Sequence, residues 1–499
     1  MRRVSLPTTF RHRVRRGAPW IALLLLLPVA IAQGQMTPAG VAQEPTTTSA
    51  VLTPHSPPAF LEPLRERFFP PIAVSGRERL ALTPFVSVGE RYDDNIFLTE
   101  SHTASDFVTI AAGGIRLRYL PARETTLELD YRIDGEIFAD HSDQNAVSHQ
   151  GALKFASQLS RSLSVNVRDT LISTTEPLQK FIGITEATGL RNISQQRRAR
   201  TFRNTAGASA EIRVGSRLTI DPAFEYSLYD INLPQELDET RYTVGAEVGY
   251  LTDVGRQSKA YVSYMTTFFL FDQNGRPVVS VRSADFQVHT AMAGFRHYFS
   301  PTLAGNAALG YARTNSDDPA HDDLGAIAAN LNITKQIRDG QAAFGYSRNL
   351  TSGGGIGGVV REDALIATFF WKATPKVTTL FAGKYALFDF LGTPVVTNAT
   401  TSSFWSLRPG LAYHILPLWN LALYYTYEFT NFDAPNPNVH DQRVTLISQL
   451  ALRTNIFLHL TYDYSVRYLQ GATVNTLGLQ EFNRNQVMLL LTYAPTFRF

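Results

Sequence analysis

Long segments of this chain alternate apolar and polar residues with a period of two. In the clearest segment, residues 127–138, one set of alternate positions is mainly apolar and the other is mainly charged. Successive side chains of a β-strand point to opposite faces, so one face of this strand suits hydrocarbon and the other suits water. Similar alternation recurs near residues 218–228, 241–250 and 456–467. From about Leu80 to Phe499 the pattern therefore predicts an all-β structure.

The length of these segments favours a membrane barrel over a soluble sandwich. Sandwich strands usually contain ~5 to 6 residues, whereas a strand that spans a bilayer needs about 9 to 11. The segments here are of the longer kind, and many of the 31 Phe, 21 Tyr and 4 Trp residues lie near their ends. Aromatic girdles at both interfaces are typical of lipid-embedded barrels.

The connections between the segments alternate in length. Short ones, such as residues 160–162 and 454–455, alternate with long polar ones, such as residues 314–323 and 392–403. Outer-membrane barrels have short periplasmic turns and longer external loops. Counting from a first strand near Ala81 gives ten long loops and nine short turns, and hence a transmembrane antiparallel up-and-down β-barrel of about 20 strands, with 18 or 22 as alternatives.

The N-terminal 32 residues have the features of a signal peptide. Six arginines precede a leucine-rich apolar segment, and Ala30-Ile31-Ala32 supplies small residues for cleavage after Ala32. The apolar segment is shorter than the roughly 20 residues of a membrane anchor. Removal of residues 1–32 leaves 40 basic and 43 acidic residues, so the mature chain has no basic excess to favour a nucleic-acid partner.

Residues 33–79 separate the signal peptide from the barrel, which is predicted to span residues 80–499. This segment is rich in Pro, Thr, Ala and Gln, so it cannot bury enough apolar surface to fold, and we expect a disordered periplasmic linker. A folded plug would need a much longer segment. The chain contains no cysteine, which excludes disulfides and a lipid anchor on cysteine.

The C-terminus carries a candidate assembly signal. Leu491, Tyr493, Phe497 and Phe499 fall on one face of the last strand, and the chain ends at Phe499. A terminal strand of this kind resembles the signal that the barrel-assembly machinery recognises, so Phe497 and Phe499 are the candidate signal residues. An open apolar edge would be an aggregation hazard in a soluble protein.

The segment from Val86 to Leu98 resembles the opening strand and first loop of a family of β-barrel porin-type proteins. Members of that family are often encoded beside exopolysaccharide and exosortase gene clusters, and they begin with an apolar strand and a Tyr-x-Asp-Asn-Ile/Val loop. Tyr92, Asp94, Asn95 and Ile96 match that loop here. The resemblance implies an outer-membrane protein of polysaccharide-producing bacteria.

A barrel of about 20 strands encloses more space than its side chains fill, since barrels of 16 to 18 strands already leave an aqueous channel. Charged residues on the polar face are therefore candidates for the pore lining: Arg116, Arg118, Glu128, Asp130, Arg132, Asp134, Glu136, Asp221, Glu225, Arg241 and Glu247. Arg116 and Arg118 are expected to face the acids of the third strand as cross-strand pairs. These charges either form a wall that conducts sugars or ions, or keep the wall rigid and solvated.

The third and longest external loop, residues 175–199, contains the apolar sequence Phe181-Ile182-Gly183-Ile184 and is followed by further basic residues. Its basic candidates for a constriction are Arg191, Arg197, Arg198 and Arg200. Rings of arginine favour anions. By analogy with general porins this loop narrows the channel; the alternative is an external loop that contacts anionic polysaccharide.

Other candidate chemistry is sparse. Asp93-Asp94-Asn95 and the acidic residues 317–323 offer oxygen ligands, but their spacing does not match a Ca²⁺ loop, so we expect solvated loops and no metal or other cofactor. No hydrolase, zinc-protease, phosphate-loop or dinucleotide motif occurs. His149, His289 and His459 are the candidates for a barrel-wall enzyme, but no catalytic partner is evident from the sequence.

Three functions remain from the sequence. The first is a porin-like channel, passive and linked to exopolysaccharide export or secretion; the second is a structural or surface-attachment barrel; the third is a barrel-wall enzyme, which the missing motifs disfavour. The expected location is the outer membrane. The expected partners are outer-membrane lipid and lipopolysaccharide, the barrel-assembly machinery, and exopolysaccharide or periplasmic export proteins.

Overall fold

The computed structural model describes residues 79–122, 124–175, 199–231, 238–252, 258–272, 285–316, 323–353, 358–391, 401–432, 437–471 and 480–499. The predicted signal peptide and residues 33–78 of the predicted linker lie outside these residues. The strands are β1 Leu80–Asp93, β2 Asp106–Ala122, β3 Thr125–Phe138, β4 Ala146–Ser160, β5 Leu163–Thr174, β6 Thr201–Val214, β7 Leu218–Ile231, β8 Asp238–Thr252, β9 Ser258–Asp272, β10 Phe286–Ser300, β11 Leu303–Ser316, β12 Gly325–Ile337, β13 Gly340–Ser352, β14 Val359–Trp371, β15 Val377–Leu391, β16 Thr401–Leu416, β17 Trp419–Phe432, β18 Asn438–Arg453, β19 Ile456–Gln470, β20 Phe482–Tyr493 and β21 Phe497–Arg498.

Each strand from β1 to β20 pairs with the next in antiparallel register, and β1 also pairs with β20, which closes the sheet. The predicted barrel of 20 strands is confirmed. The short β21 continues the line of β20 along β1, after an interruption that contains Pro495, whose nitrogen cannot donate a hydrogen bond. The only regular structure outside the strands in the described residues is a 3-10 turn, Ser142–Gln144, and no described helix is long and apolar enough to span a membrane.

The seam between β1 and β20 is tight. At Gly89 a Cβ atom would lie 2.0 Å from the carbonyl oxygen of Leu489, so glycine permits the two strands to approach. Ser87 and Thr492 lie opposite each other, and their hydroxyl oxygens are 2.9 Å apart. The register therefore joins residues that are separated by most of the barrel sequence.

Polar side chains lock the same seam at the end that carries the long loops. The carboxylate of Asp93 accepts hydrogen bonds from Arg484 Nε at 3.0 Å and Nη2 at 2.5 Å. Asp94 accepts from the backbone and side-chain amides of Asn485 at 2.6 and 2.7 Å. We call Asp93, Asp94, Arg484 and Asn485 the closure clasp. The Asp93 and Arg484 side chains are buried, at 0% and 1% exposure, so the ion pair is shielded from water.

The outer face of the barrel is apolar. Large hydrophobic side chains with exposures of about 40 to 60% project from most of the strands, for example Val86, Ile133, Leu309 and Leu489. Exposed aromatic residues lie at the strand ends: Tyr119, Tyr250, Phe299, Trp371, Trp405 and Trp419. A closed barrel with an apolar belt and aromatic edges is the structure of an outer-membrane protein. The short turns therefore face the periplasm and the long loops face outward.

The start of β1 and the C-terminal residue meet at the periplasmic rim. The backbone nitrogens of Arg79 and Leu80 donate hydrogen bonds to the carbonyl oxygen of Phe499 at 3.0 and 3.1 Å, and Phe499 N donates to Leu80 O at 2.9 Å. Phe497 lies opposite Leu82, and Phe499 is exposed on the outside of the barrel. The terminal aromatic residues are thus presented at the rim, although their role as an assembly signal stays a prediction.

The closure clasp yields a first prediction. Replacing Arg484 by alanine leaves the Asp93 carboxylate buried without its charge partner, which should lower the free energy of unfolding by about 3 to 5 kcal/mol. The control is Arg118→Ala, which removes an exposed cross-strand pair and should change it by at most ~1 kcal/mol. Urea titration of the heat-modifiable form in lipid bilayers measures both, and equal effects would show that the clasp does not hold the seam.

Candidate functional site

The candidate site is the inner wall of the barrel. Arg116 lies opposite Asp130 and its Nη2 atom is 2.9 Å from the carboxylate. Arg118 lies opposite Glu128 and pairs with it at 3.3 Å. All four side chains point away from the apolar belt, because they alternate with outward residues such as Ile133. The inner face of β2 and β3 is therefore a ladder of paired charges.

The remaining candidates on β3 are also paired. Arg132 contacts Asp134 two residues further along the same strand. Glu136 accepts a hydrogen bond from Arg91 Nη1 on β1 at 3.0 Å. Arg91 was not among the candidates from the sequence, although it lies in the segment from Val86 to Leu98, at a position of β1 that faces inward.

A second charged group spans β5 to β8. Glu225 lies between Arg168 and Arg241, with N–O distances of 2.8 and 3.2 Å. Both arginines contact different oxygens of the one carboxylate, so the three side chains cross-link neighbouring strands. Arg168 was missed because β5 has few other charges, and only the strand register shows that it faces inward.

Asp221 and Glu247 meet near the periplasmic end around one lysine. Lys259 Nζ contacts Asp221 and lies 2.6 Å from Glu247, and Arg296 lies 3.8 Å from the same glutamate. Lys259 and Arg296 were not candidates, because β9 and β10 are mainly apolar or aromatic in sequence and their few charges look isolated. Across the described wall, the structure brings the candidate charges together as compensated groups rather than as a field of one sign.

Water access to the charge ladder changes along the barrel axis. Near the periplasmic end the side chains of Arg118 and Glu128 are 39% and 41% exposed. Near the external end the side chains of Arg91 and Glu136 are 3% and 1% exposed. The lumen along this wall is therefore open to water at the periplasmic end and filled at the external end.

The first loop fills part of the external end. Ile96 is fully buried and packs against Val108 and Phe138, which lie on the inner face of β2 and β3. Asn95 is also buried, donating hydrogen bonds to the carbonyls of Thr99 at 2.7 Å and Asn483 at 2.9 Å. The first loop, whose sequence resembles that of the porin-type family, thus covers part of the inner wall.

This geometry corrects one expectation from the sequence. Asp93, Asp94 and Asn95 were expected to be a solvated loop, but they are bound to β20, and Asp93 and Asn95 are 0% exposed. The expectation was wrong because their partners lie near residue 484, and no local pattern shows that distant pairing. In the other acidic cluster, Asp323 is exposed and contacts Arg313, whereas residues 317–322 lie outside the described residues.

The hairpin of β13 and β14 fills another part of the external end. Leu350 and Val359 are buried against a cluster on the inner wall that includes Phe269, Phe286 and Val288. The hairpin therefore leans inward from its place in the wall. The sequence does contain a signal of this inward lean. The consecutive Val359 and Val360 break the alternation of apolar and polar residues that is expected of a barrel strand with one face toward water.

Of the four basic candidates in and after the third loop, the structure describes only Arg200. Arg191, Arg197 and Arg198 lie outside the described residues. Arg200 is exposed directly before β6. Whether these arginines narrow a channel stays a prediction.

Comparison with known proteins gives likeness in structure alone. No protein-family model and no curated protein matches the sequence. Similar solved structures include the siderophore receptor PirA from Pseudomonas aeruginosa, with 8% identity, a TM-score of 0.42 and coverage of 83% of this chain and 80% of the receptor. The FrpB iron transporter from Neisseria meningitidis has 7% identity and a TM-score of 0.45, with 84% and 82% coverage.

The two faces of β3 yield a second prediction. Ile133→Arg places a charge on the lipid face, where it costs roughly 2 to 4 kcal/mol near mid-depth, so the yield of assembled barrel should fall. Glu128→Arg is the matched control, because its side chain lies on the open part of the inner wall and the barrel should assemble. Heat-modifiable protein in the outer-membrane fraction measures both yields. Equal assembly of the two variants would mean that the face assignment is off by one residue.

Proposed function

We propose that this chain is a porin-like outer-membrane channel for polar solutes, linked to exopolysaccharide export or secretion. The observation that carries the proposal is the ladder of paired charges on β2 and β3, whose periplasmic part is open to water. Paired charges of opposite sign offer hydrogen bonds to a polar solute, and they do not bind ions of one sign tightly. The first-loop resemblance supports the link with polysaccharide.

A structural or surface-attachment barrel is the alternative. The filled external end favours it, because Arg91 and Glu136 are shielded from water and the first loop packs onto the inner wall. A barrel that never opens at this end would stabilise the envelope or display its loops without transport. The two functions differ in whether the external end opens.

The proposed channel has no enzymatic activity. His149 lies on the lipid face with its Nδ1 atom 2.8 Å from the Tyr131 hydroxyl, and His289 pairs in the same way with Tyr264 at 2.9 Å. These contacts suit an interfacial girdle of amphipathic rings. His459 points inward from β19 and is partly buried, with its ring centroid 6.4 Å from that of Phe457.

The proposed partners follow from the surfaces of the barrel. The apolar belt meets outer-membrane lipid and lipopolysaccharide, and the terminal Phe497 and Phe499 are available to the assembly machinery at the periplasmic rim. The arginines of the third loop would either narrow the channel or contact anionic polysaccharide outside it. Periplasmic export proteins would meet the open end of the lumen.

Conductance tests the channel. The purified protein in planar bilayers should give discrete conductance steps. The combined variant Glu128→Arg and Asp130→Arg should shift the reversal potential in a salt gradient toward anion selectivity, because two carboxylates of the wetted wall become cations. Asp323→Arg makes the same kind of charge change on an exposed residue outside the lumen and should leave the selectivity unchanged.

Two outcomes would contradict the channel. One is silence of the folded protein and also of a Val359→Asp variant, in which the packing at the external end is disrupted. The other is an equal shift of the reversal potential in the Asp323 variant and the double variant, since the selectivity would then not arise at the inner wall.

A further inference from the structure

The wall of the barrel is split at its external end between β12 and β13. The register of these strands begins at Ile337–Gly340 near the periplasm and ends at Ala329–Arg348. Beyond that point β12 continues to Gly325 along β11, whereas β13 continues to Ser352 along β14. Residues 349–352 have therefore separated from β12 while keeping their pairing with β14. We call residues 349–352 and 359–362 the flap.

The flap packs into the lumen through both of its faces. Leu350 and Val359 contact the cluster on the inner wall of β9 to β12, which includes the stacked pair Phe269 and Phe286 at 4.7 Å. Val360 contacts a second cluster on β14 to β18. Both faces of a strand are buried only where it leaves the wall, since a wall strand has one face toward lipid and one toward the lumen.

A polar contact fixes how far the flap reaches. Ser352 Oγ donates a hydrogen bond of 2.7 Å to Glu239 Oε2 on β8. Both residues are buried, at 4% and 3% exposure. Strands β9 to β12 lie between β8 and β13 in the sheet. The flap therefore reaches across the inner side of these four strands to make this bond. The apolar clusters and this bond together close the external part of the lumen near β8 to β14.

The same residues fit a second arrangement. Extending the register beyond Ala329–Arg348 would place Leu350 opposite Ile327 and Ser352 opposite Gly325. Ile327 is exposed on the apolar outer face, so Leu350 would join the belt, and residues 349–352 would regain a backbone ladder with β12. One arrangement gains apolar packing in the lumen and the other gains main-chain pairing in the wall. Because the loss of one kind of interaction is offset by the gain of the other, the flap can occupy two states.

We infer that the flap is the gate of the channel, closed when it packs in the lumen and open when β13 pairs with β12 along its whole length. The inference rests on the proposed channel function. In the closed state Val359, Phe286 and Val288 form an apolar constriction, which stops conduction by excluding water. In the open state these side chains separate, and an aqueous path opens along the inner wall of β8 to β14.

The lack of cysteine in the natural chain permits a direct test by paired cysteines. Glu239→Cys with Ser352→Cys, joined by a short bis-methanethiosulfonate linker, holds the flap in the lumen. Ile327→Cys with Leu350→Cys forms a disulfide only when the flap lies in the wall, because the two residues are then cross-strand neighbours. The control pair is Leu331→Cys with Tyr346→Cys, which lie opposite each other on the same strands and face below the split.

We expect both flap pairs to cross-link in intact outer membranes. Conductance in planar bilayers should be lower by about tenfold or more for the pair held in the lumen than for the pair held in the wall, since each trap removes the other state from the equilibrium. Reduction should restore the parental conductance in both. Cross-linking of the control pair should leave the conductance unchanged.

Two results would overturn the gate. A disulfide that fails to form between positions 327 and 350, while the lumen pair and the control pair cross-link, would show that the flap is a fixed part of the lumen. Equal conductance of the two trapped forms would show that flap movement does not control conduction. Silence of the wall-trapped form would instead contradict the channel function, and the two cross-linking yields would still decide whether the flap moves.

Discussion

Pairing of the first strand with the last is the constraint on which the rest of this structure depends. Hydrocarbon offers no hydrogen bonds, so a sheet can cross a bilayer only when its two edges satisfy each other. Here β1 meets β20 along Val86 to Asp93, and the closure clasp buries the Asp93–Arg484 ion pair at the external end. Once this register is set, the alternation of side chains fixes which residues face lipid and which face the lumen.

The closed ring determines the character of the lumen. Inward charges cannot reach lipid, and they neutralise one another across neighbouring strands, as Arg116 does with Asp130 and Glu225 does with two arginines. These pairs keep a polar wall near electrical balance. The external end differs, because the first loop and the β13–β14 hairpin bring apolar side chains such as Ile96 and Val359 against the inner wall. Along the barrel axis, the lumen therefore has a polar wall toward the periplasm and an apolar closure toward the external end.

The sequence predicts the local features of this fold and misses the distant ones. The alternation from Leu127 to Phe138 gives the faces of β3 correctly, and the spacing of turns gives 20 strands, because both depend on neighbours in the chain. The partner of Asp93 lies at residue 484, so its burial cannot be deduced from an acidic loop motif alone. Lys259 and Arg296 were missed for a related reason, since they face the acids of β7 and β8 only after the strands are registered. The inward lean of the flap depends on competition between packing and pairing, which the Val359-Val360 doublet indicates only weakly.

Closure itself can be measured with one pair of cysteines. Ser87→Cys and Thr492→Cys lie opposite each other on β1 and β20, and Thr125→Cys with Ser157→Cys is the matched pair on β3 and β4, where the native hydroxyl oxygens are 2.8 Å apart. We expect both disulfides to form in the outer membrane, and we expect the 87–492 bond to give boiled protein a covalent ring whose altered gel mobility is reversed by reduction. A disulfide at 125–157 without one at 87–492 would contradict closure of the barrel between its first and last strands.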